Sequence, residues 1–377
     1  MKRNLLIIGG SYAALNAAAA ARESGFDGSV TMVSEEGTAP YHRPPLSKGY
    51  IKDEVAAEDL PLKGERFYAD QSIELLLGRR VNALDLRARR ATLSGGEVLG
   101  FDICVLACGA RPRPLPSGED RGVLYLRSLA DADRVKERLE QARRVTILGG
   151  GFVGLELASA ATALGCEVQL VEAGERLLAR AVPPEVSAVI KSRHEAAGVH
   201  FLTGAAAEAQ DGQVRLMDGR MINADLIIAG LGATPNAELA ANAGLVVNNG
   251  IVADFYGLTN APDVYAVGDC SNHLNAWTGG HLRLESVQNA LDQSRAVGLT
   301  IAGQKTVYSA MPRFWSDQYD LNLQMVGLPS EGNRSEVFVT PKGDFSMLHM
   351  RGTHMVGVTS LNDLRTQIGA RRVLKRG

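Results

Sequence analysis

Short apolar runs and longer stretches of helical spacing alternate along this chain, and one such alternation occurs twice. Residues 145–148 form a strand-like run that meets Gly149-x-Gly151-x-x-Gly154, and residues 155–164 continue with the apolar spacing of a helix. A second apolar run, 168–171, ends on Glu172, 18 residues past the third glycine. Residues 5–14, LLIIGGSYAA, repeat the pattern in altered form, keeping Gly9 but carrying Ser11 and Ala14 where the other copy has Gly151 and Gly154. There too a strand-like run, 30–33, leads to an acidic residue, Glu35, 21 residues beyond Ala14. The leading glycines stand 140 residues apart, a spacing that describes a duplicated domain rather than a solenoid. Elsewhere FDICVLACG, 101–109, reads as a strand, and Val135, Leu139 and Ala142 mark one face of a helix. ADLIIAGLG, 224–232, reads as a buried parallel strand and turn, and Thr234-Pro235-Asn236 marks the return to the first domain. From Tyr308 onward, alternating Leu321, Leu323 and Met325 among glycine and proline turns predict a small mixed domain.

The glycine pattern carries chemistry. Gly149 makes a tight turn, Gly151 lets backbone approach a pyrophosphate, and Gly154 lets helix and strand pack closely. The first-turn amides, at Phe152 and Val153, then face the phosphates. Glu172 is placed to accept hydrogen bonds from a ribose 2′-hydroxyl and to repel a 2′-phosphate, which favours NADH, with Arg176 nearby as a counter-charge. In the first copy alanine at the third position is within the pattern, and the Ser11 hydroxyl can itself bond to a phosphate, with Ala13 and Ala14 opening the helix. Two dinucleotide sites imply two dinucleotides.

Composition narrows the class. At 377 residues the chain predicts two or three domains, and 45% apolar with 22% charged residues supports a substantial core. A net charge of −2 gives no general attraction to nucleic acid or anionic membrane. The first apolar run is too short for a signal peptide or a membrane span, so a cytoplasmic location is expected. Cys104, Cys108, Cys166 and Cys270 lack CxxC spacing, and the histidines form no metal-ligand pattern. If 101–109 is one strand, Cys104 and Cys108 lie ~13 Å apart, beyond disulfide reach.

Pro40-Tyr41-His42-Arg43-Pro44-Pro45-Leu46-Ser47-Lys48 reads as a loop held extended by three prolines, with Ser47 placed to cap a following helix. The run Pro-Tyr-x-Arg-Pro-Pro-Leu-Ser-Lys resembles the signature loop of FAD-dependent, NADH-linked ferredoxin reductases that serve aromatic-ring dioxygenases and cytochromes P450. The resemblance covers nearly the whole chain. It implies that Lys48 lies beside the flavin ring, that Arg43 and Arg127 contact FAD, and that Val81 gives a backbone contact on the adenine side. Cys108-Gly109-Ala110-Arg111-Pro112 is similar to the Thr-Gly-x-x-Pro turn that closes the first FAD half, with Cys108 in place of Thr. TNAPDVYAVGD, 259–269, resembles the second FAD motif, in which Asp269 holds the ribitol hydroxyls, and residues 284–290 open a helix with Val287 as a backbone contact. Glu156 is placed in the first helical turn, where the helix dipole favours it. The resemblance implies that it pairs with Lys48 and that Trp315 stands beside the flavin.

These readings predict an α/β protein: two Rossmann-like dinucleotide-binding domains, glutathione-reductase-like in arrangement, plus a small α+β C-terminal domain. Residues 1–114 and 236–307 form the FAD domain, 115–235 the inserted NAD domain, with Gly232 at the NAD site, and 308–377 the C-terminal domain. The expected function is transfer of electrons from NADH through FAD to a [2Fe-2S] ferredoxin and thence to a terminal oxygenase, by a monomer or homodimer. A rubredoxin reductase or NADH oxidase shares the motifs. A non-catalytic FAD- and NAD-binding sensor is the alternative of another class. At the end of the chain Arg365, Arg371, Arg372, Lys375 and Arg376 form a basic cluster fit to dock an acidic ferredoxin.

Overall fold

A computed structural model describes residues 2–116, 122–210, 212–340 and 344–374. The chain divides into two compact units, one of residues 1–42, 61–111 and 235–312, the other of residues 43–60, 112–234 and 313–377.

The first unit is built on a five-stranded parallel sheet in the order Val264–Ala266, Ile103–Leu106, Asn4–Ile8, Ser29–Val33, Ile73–Leu76. Near-continuous apolar runs in these strands fit a sheet buried on both faces. The helix Tyr12–Glu23 is almost all alanine on its inner side, which lets it lie tightly against the helix Val287–Ile301. A Cβ on Gly298 would stand 2.7 Å from the Ala17 carbonyl oxygen, so the approach needs glycine there. The strand predicted over 101–109 ends at Leu106. Ala107 begins the turn and Gly109, at φ +64°, completes it, which takes Cys108 off the strand.

The second unit holds the other parallel sheet, ordered His200–Thr203, Glu167–Glu172, Arg144–Leu148, Leu226–Ala229, Val123–Leu124. In both units the strand before the glycine turn is central, with its successor on one side and a strand from much later in the chain on the other. That is the topological switch point, where open parallel sheets bind ligands. The helix Leu129–Gln141 starts in a capping box, with the Ser128 hydroxyl accepting from the Asp131 amide. Burial pushes the Asp131 carboxyl up, but hydrogen bonds from Ser128 and Arg134 outweigh it and hold the group below the usual range.

The same unit includes a five-stranded antiparallel sheet, Arg313–Gln318, Leu321–Gly327, His354–Leu361, Phe345–Arg351, Arg334–Val339, followed by the helix Leu364–Leu374. Among the described residues no helix is long and apolar enough to cross a membrane.

Candidate active site

The three glycines of the second unit answer to different causes. Gly149 has φ +104°, and a Cβ there would stand 2.5 Å from the Gly230 carbonyl oxygen. A Cβ on Gly154 would lie 2.1 Å from the Gly149 oxygen, so this glycine is demanded by helix–strand packing. Gly151 is different. Its φ of −82° suits any residue, and no atom of the chain lies within 3.7 Å of the added Cβ. Neither backbone strain nor packing within the fold therefore calls for glycine here, the position expected to admit a phosphate. The helix Phe152–Ala163 also starts without a side-chain cap, whereas Ser128 and Ser286 cap two other long helices. Uncapped amides beside a glycine that the fold itself does not require fit a pyrophosphate.

Glu172 stands at this turn, accepting from the Gly150 amide at 2.6 Å and the Gly174 amide at 2.7 Å. Arg176 is committed elsewhere, donating to the carbonyls of Val182 and Ala179 at 2.8 Å each. Phe152 packs its ring against Phe314 at 4.4 Å between centroids. Val153 and Gly232 are exposed.

Glu156 is the fifth residue of its helix, beyond the first turn where the dipole was expected to hold it. Side chains hold it instead. Lys48 Nζ lies 2.7 Å from Oε2, the Ser47 hydroxyl donates to the same oxygen at 2.5 Å, and the Ser316 hydroxyl donates to Oε1 at 2.6 Å. Glu156 is 7% exposed and Lys48 22%, so this is a nearly buried ion pair whose carboxylate is met on both oxygens. Such a pair is tolerable only with that degree of satisfaction.

The proline loop that brings Lys48 here is not extended: Pro44–Ser47 is a single 3-10 turn. Two prolines at its start supply the fixed φ that a helical turn needs. Ser47 caps no helix and serves Glu156. The loop is tied down by Arg43, which donates to the Arg127 carbonyl at 2.7 Å, and by Tyr50, whose hydroxyl donates to Asp133 at 2.5 Å. Burial and that carboxylate push the Tyr50 phenol up to about 12.

Strand alternation sorts the FWSDQ segment. Phe314, Ser316 and Gln318 share the face that meets Phe152, Glu156 and His194, while Trp315 points to the other face and is half-buried. Sequence reading singled out Trp315 and missed Ser316 and Gln318. Polar residues at i and i+2 on the face of an aromatic anchor were the available signal.

In the first unit a Cβ on Gly9, at φ +138°, would lie 2.2 Å from the Ala107 oxygen, and Ala14 is fully buried, so both belong to the tight turn. Ser11 is the N-cap residue of the helix Tyr12–Glu23 and is half-buried. Gly268 lies against Ala13, its added Cβ 3.1 Å from the alanine's, which sets the Gly268–Cys270 turn and Asp269 beside the opening of that helix. Gln293 of the helix Val287–Ile301 accepts from the Gly268 amide at 2.9 Å, bringing Val287's helix to the same place. Glu35 is exposed and pairs with Arg80 at 3.3 Å, and Val81 follows directly, buried. Cys108 meets Cys270, a neighbour that sequence spacing did not reveal. The neighbouring Cys270 and burial push the Cys108 thiol up. All four cysteines are free.

The profile of the pyridine nucleotide-disulphide oxidoreductase family matches residues 3–294, and that of the reductase C-terminal domain matches residues 313–377. The chain belongs to the pyridine nucleotide-disulphide oxidoreductases. Within this family it is 38% identical to rhodocoxin reductase of Rhodococcus erythropolis over 98% of this chain and 89% of that one. It is also 38% identical to the ferredoxin–NAD(+) reductase component of the p-cumate 2,3-dioxygenase system of Pseudomonas putida, over 98% and 93% of the two chains. Its fold matches putidaredoxin reductase in a covalent complex with putidaredoxin with a TM-score of 0.94, at 36% identity, covering 99% of this chain and 93% of that one. The two glycine turns of this oxidoreductase chain both fall inside the first matched region, and Trp315, Ser316 and Gln318 open the second.

Proposed function

We propose that this protein oxidises NADH through bound FAD and delivers the electrons to a [2Fe-2S] ferredoxin, which serves a Rieske-type aromatic-ring dioxygenase or a cytochrome P450. The cytoplasm is the compartment in which it works. The observation that carries this reading is the Lys48–Glu156 pair, a nearly buried cation fixed on the helix that follows the Gly149–Gly154 turn.

FAD, when bound, accepts a hydride and releases electrons singly, chemistry that the polypeptide itself lacks. The chain supplies placement and charge. The amides of Phe152, Val153 and Gly154 hold the NADH pyrophosphate at the opening left by Gly151, and Glu172 takes the ribose hydroxyls, with Gly232 lining the same site. The turn from Gly9 through Ser11, Ala13 and Ala14 holds the pyrophosphate of FAD, Glu35 its ribose, and Asp269 its ribitol hydroxyls. Val81 and Val287 contribute backbone contacts, and Arg43 and Arg127 are assigned to FAD as well. Trp315 is assigned beside the ring. Lys48 would stand beside the ring, and a fixed cation there would stabilise negative charge developing on the ring without reorganisation. The domains are FAD-binding (1–114 and 236–307), NAD-binding (115–235) and C-terminal (308–377).

Purification tests the first premise. The protein is expected to be yellow and to carry one FAD, bleached by NADH under anaerobic conditions. Absence of flavin absorbance after reconstitution with FAD contradicts the reading.

A further inference from the structure

Behind the Lys48–Glu156 pair runs a line of buried polar side chains. Gln318 donates through Nε2 to the Ser316 hydroxyl at 3.1 Å, and its Oε1 lies 2.9 Å from His194 Nε2. Ser316 and His194 are 0% exposed and Gln318 2%. The hydrogen-bond directions are determined by what the ends can do. Ser316 has a single proton, and it goes to the Glu156 carboxylate, so its oxygen accepts from the Gln318 amide. The Gln318 carbonyl then faces His194 and accepts a hydrogen bond from its Nε2–H. His194 Nδ1 is buried without a partner, and burial together with Arg193 pushes this imidazole below its usual range. Neutral His194 with its proton on Nε2 satisfies every bond in the line.

All three donors point the same way, from His194 through Gln318 and Ser316 to Glu156. Hydrogen bonds aligned in series polarise one another in a low-dielectric interior. Apolar side chains of similar volume would fill the same space at little or no cost in stability, so packing alone does not call for three polar groups here. The line also crosses between the two regions matched by separate family profiles. Glu156 and His194 belong to the first, Ser316 and Gln318 to the C-terminal one.

We propose that Ser316, Gln318 and His194 are positioning residues that orient the Glu156 carboxylate and thereby fix the Lys48 ammonium for flavin reduction. The C-terminal domain is thus part of the reductive half-reaction. This rests on the assignment of Lys48 and Glu156 given above.

The test is a double-mutant cycle on FAD-loaded enzyme, read by anaerobic stopped-flow reduction with NADH. Gln318→Met, and Ser316→Ala as the smallest deletion, are expected to retain FAD and the NADH concentration for half-maximal rate. Ser316→Ala should slow the limiting reduction step roughly tenfold, about the worth of one hydrogen bond to a charged group, and Gln318→Met, which removes a bond between neutral groups, several-fold. In a Lys48→Met background neither should slow it further. Additive slowing in both backgrounds overturns the proposal, because the residues then act independently of Lys48. So does a wild-type rate for both single variants when Lys48→Met itself is slow. A wild-type rate for Lys48→Met overturns the parent assignment and the inference together. Should Gln318→Met fail to fold, Ser316→Ala alone decides.

Discussion

Glu172 is expected to set the nucleotide preference, because its carboxylate is held at the glycine turn by two backbone amides, where a 2′-phosphate would meet it. The only countering charge that the sequence suggested, Arg176, is spent on the carbonyls of Ala179 and Val182. Glu172→Ser is therefore expected to raise the ratio of kcat/KM for NADPH over NADH about tenfold, as removal of a like charge at close range does. NADH use should fall somewhat as well, since the turn loses its clamp. Steady-state kinetics with both nucleotides measures this, and an unchanged ratio places the discrimination elsewhere. Glu156 was only half legible in the sequence. Its pairing with Lys48 followed from resemblance, but its holders, Ser47 and Ser316, come from a loop and a strand 109 and 160 residues away.

The glycine-turn helix makes two superficially alike residues separable. Gly154→Ala drives a methyl to 2.1 Å from the Gly149 oxygen and is expected to destabilise the protein by roughly 1–3 kcal/mol, the usual cost of overpacking. Gly151→Ala meets no atom within 3.7 Å and is expected to leave Tm unchanged while raising KM for NADH several-fold. Thermal unfolding and NADH kinetics on both variants check the pair. A loss of Tm in Gly151→Ala with normal KM removes the case for a phosphate at this turn. Both Rossmann-like elements were legible in the sequence because apolar period, glycine placement and a terminal acid agree there. The 40–48 loop was misread as extended because proline's φ serves a 3-10 turn as well as an extended chain, and only the carbonyl acceptors of the fold decide between them. The strand through Cys108 was overrun for a related reason, since Ala and Cys are apolar wherever they stand.

For the whole molecule the question is what takes the electrons. Arg365 and Arg372 are exposed on the helix Leu364–Leu374 and Arg371 is half-buried, while Lys375 and Arg376 lie outside the described residues. If an acidic ferredoxin docks there, Arg365→Glu with Arg372→Glu is expected to slow its reduction and flatten the salt dependence, leaving ferricyanide reduction near normal. Equal loss with both acceptors indicates a folding defect. Loss with neither moves the docking surface off this helix. The central claim is tested most directly by anaerobic mixing of NADH, catalytic enzyme and purified [2Fe-2S] ferredoxins, followed at the iron–sulfur absorbance. Rapid NADH-dependent bleaching of at least one ferredoxin is expected, with slow oxygen consumption when that acceptor is absent. Fast oxygen consumption without ferredoxin reduction, or preferential reduction of a rubredoxin, contradicts it.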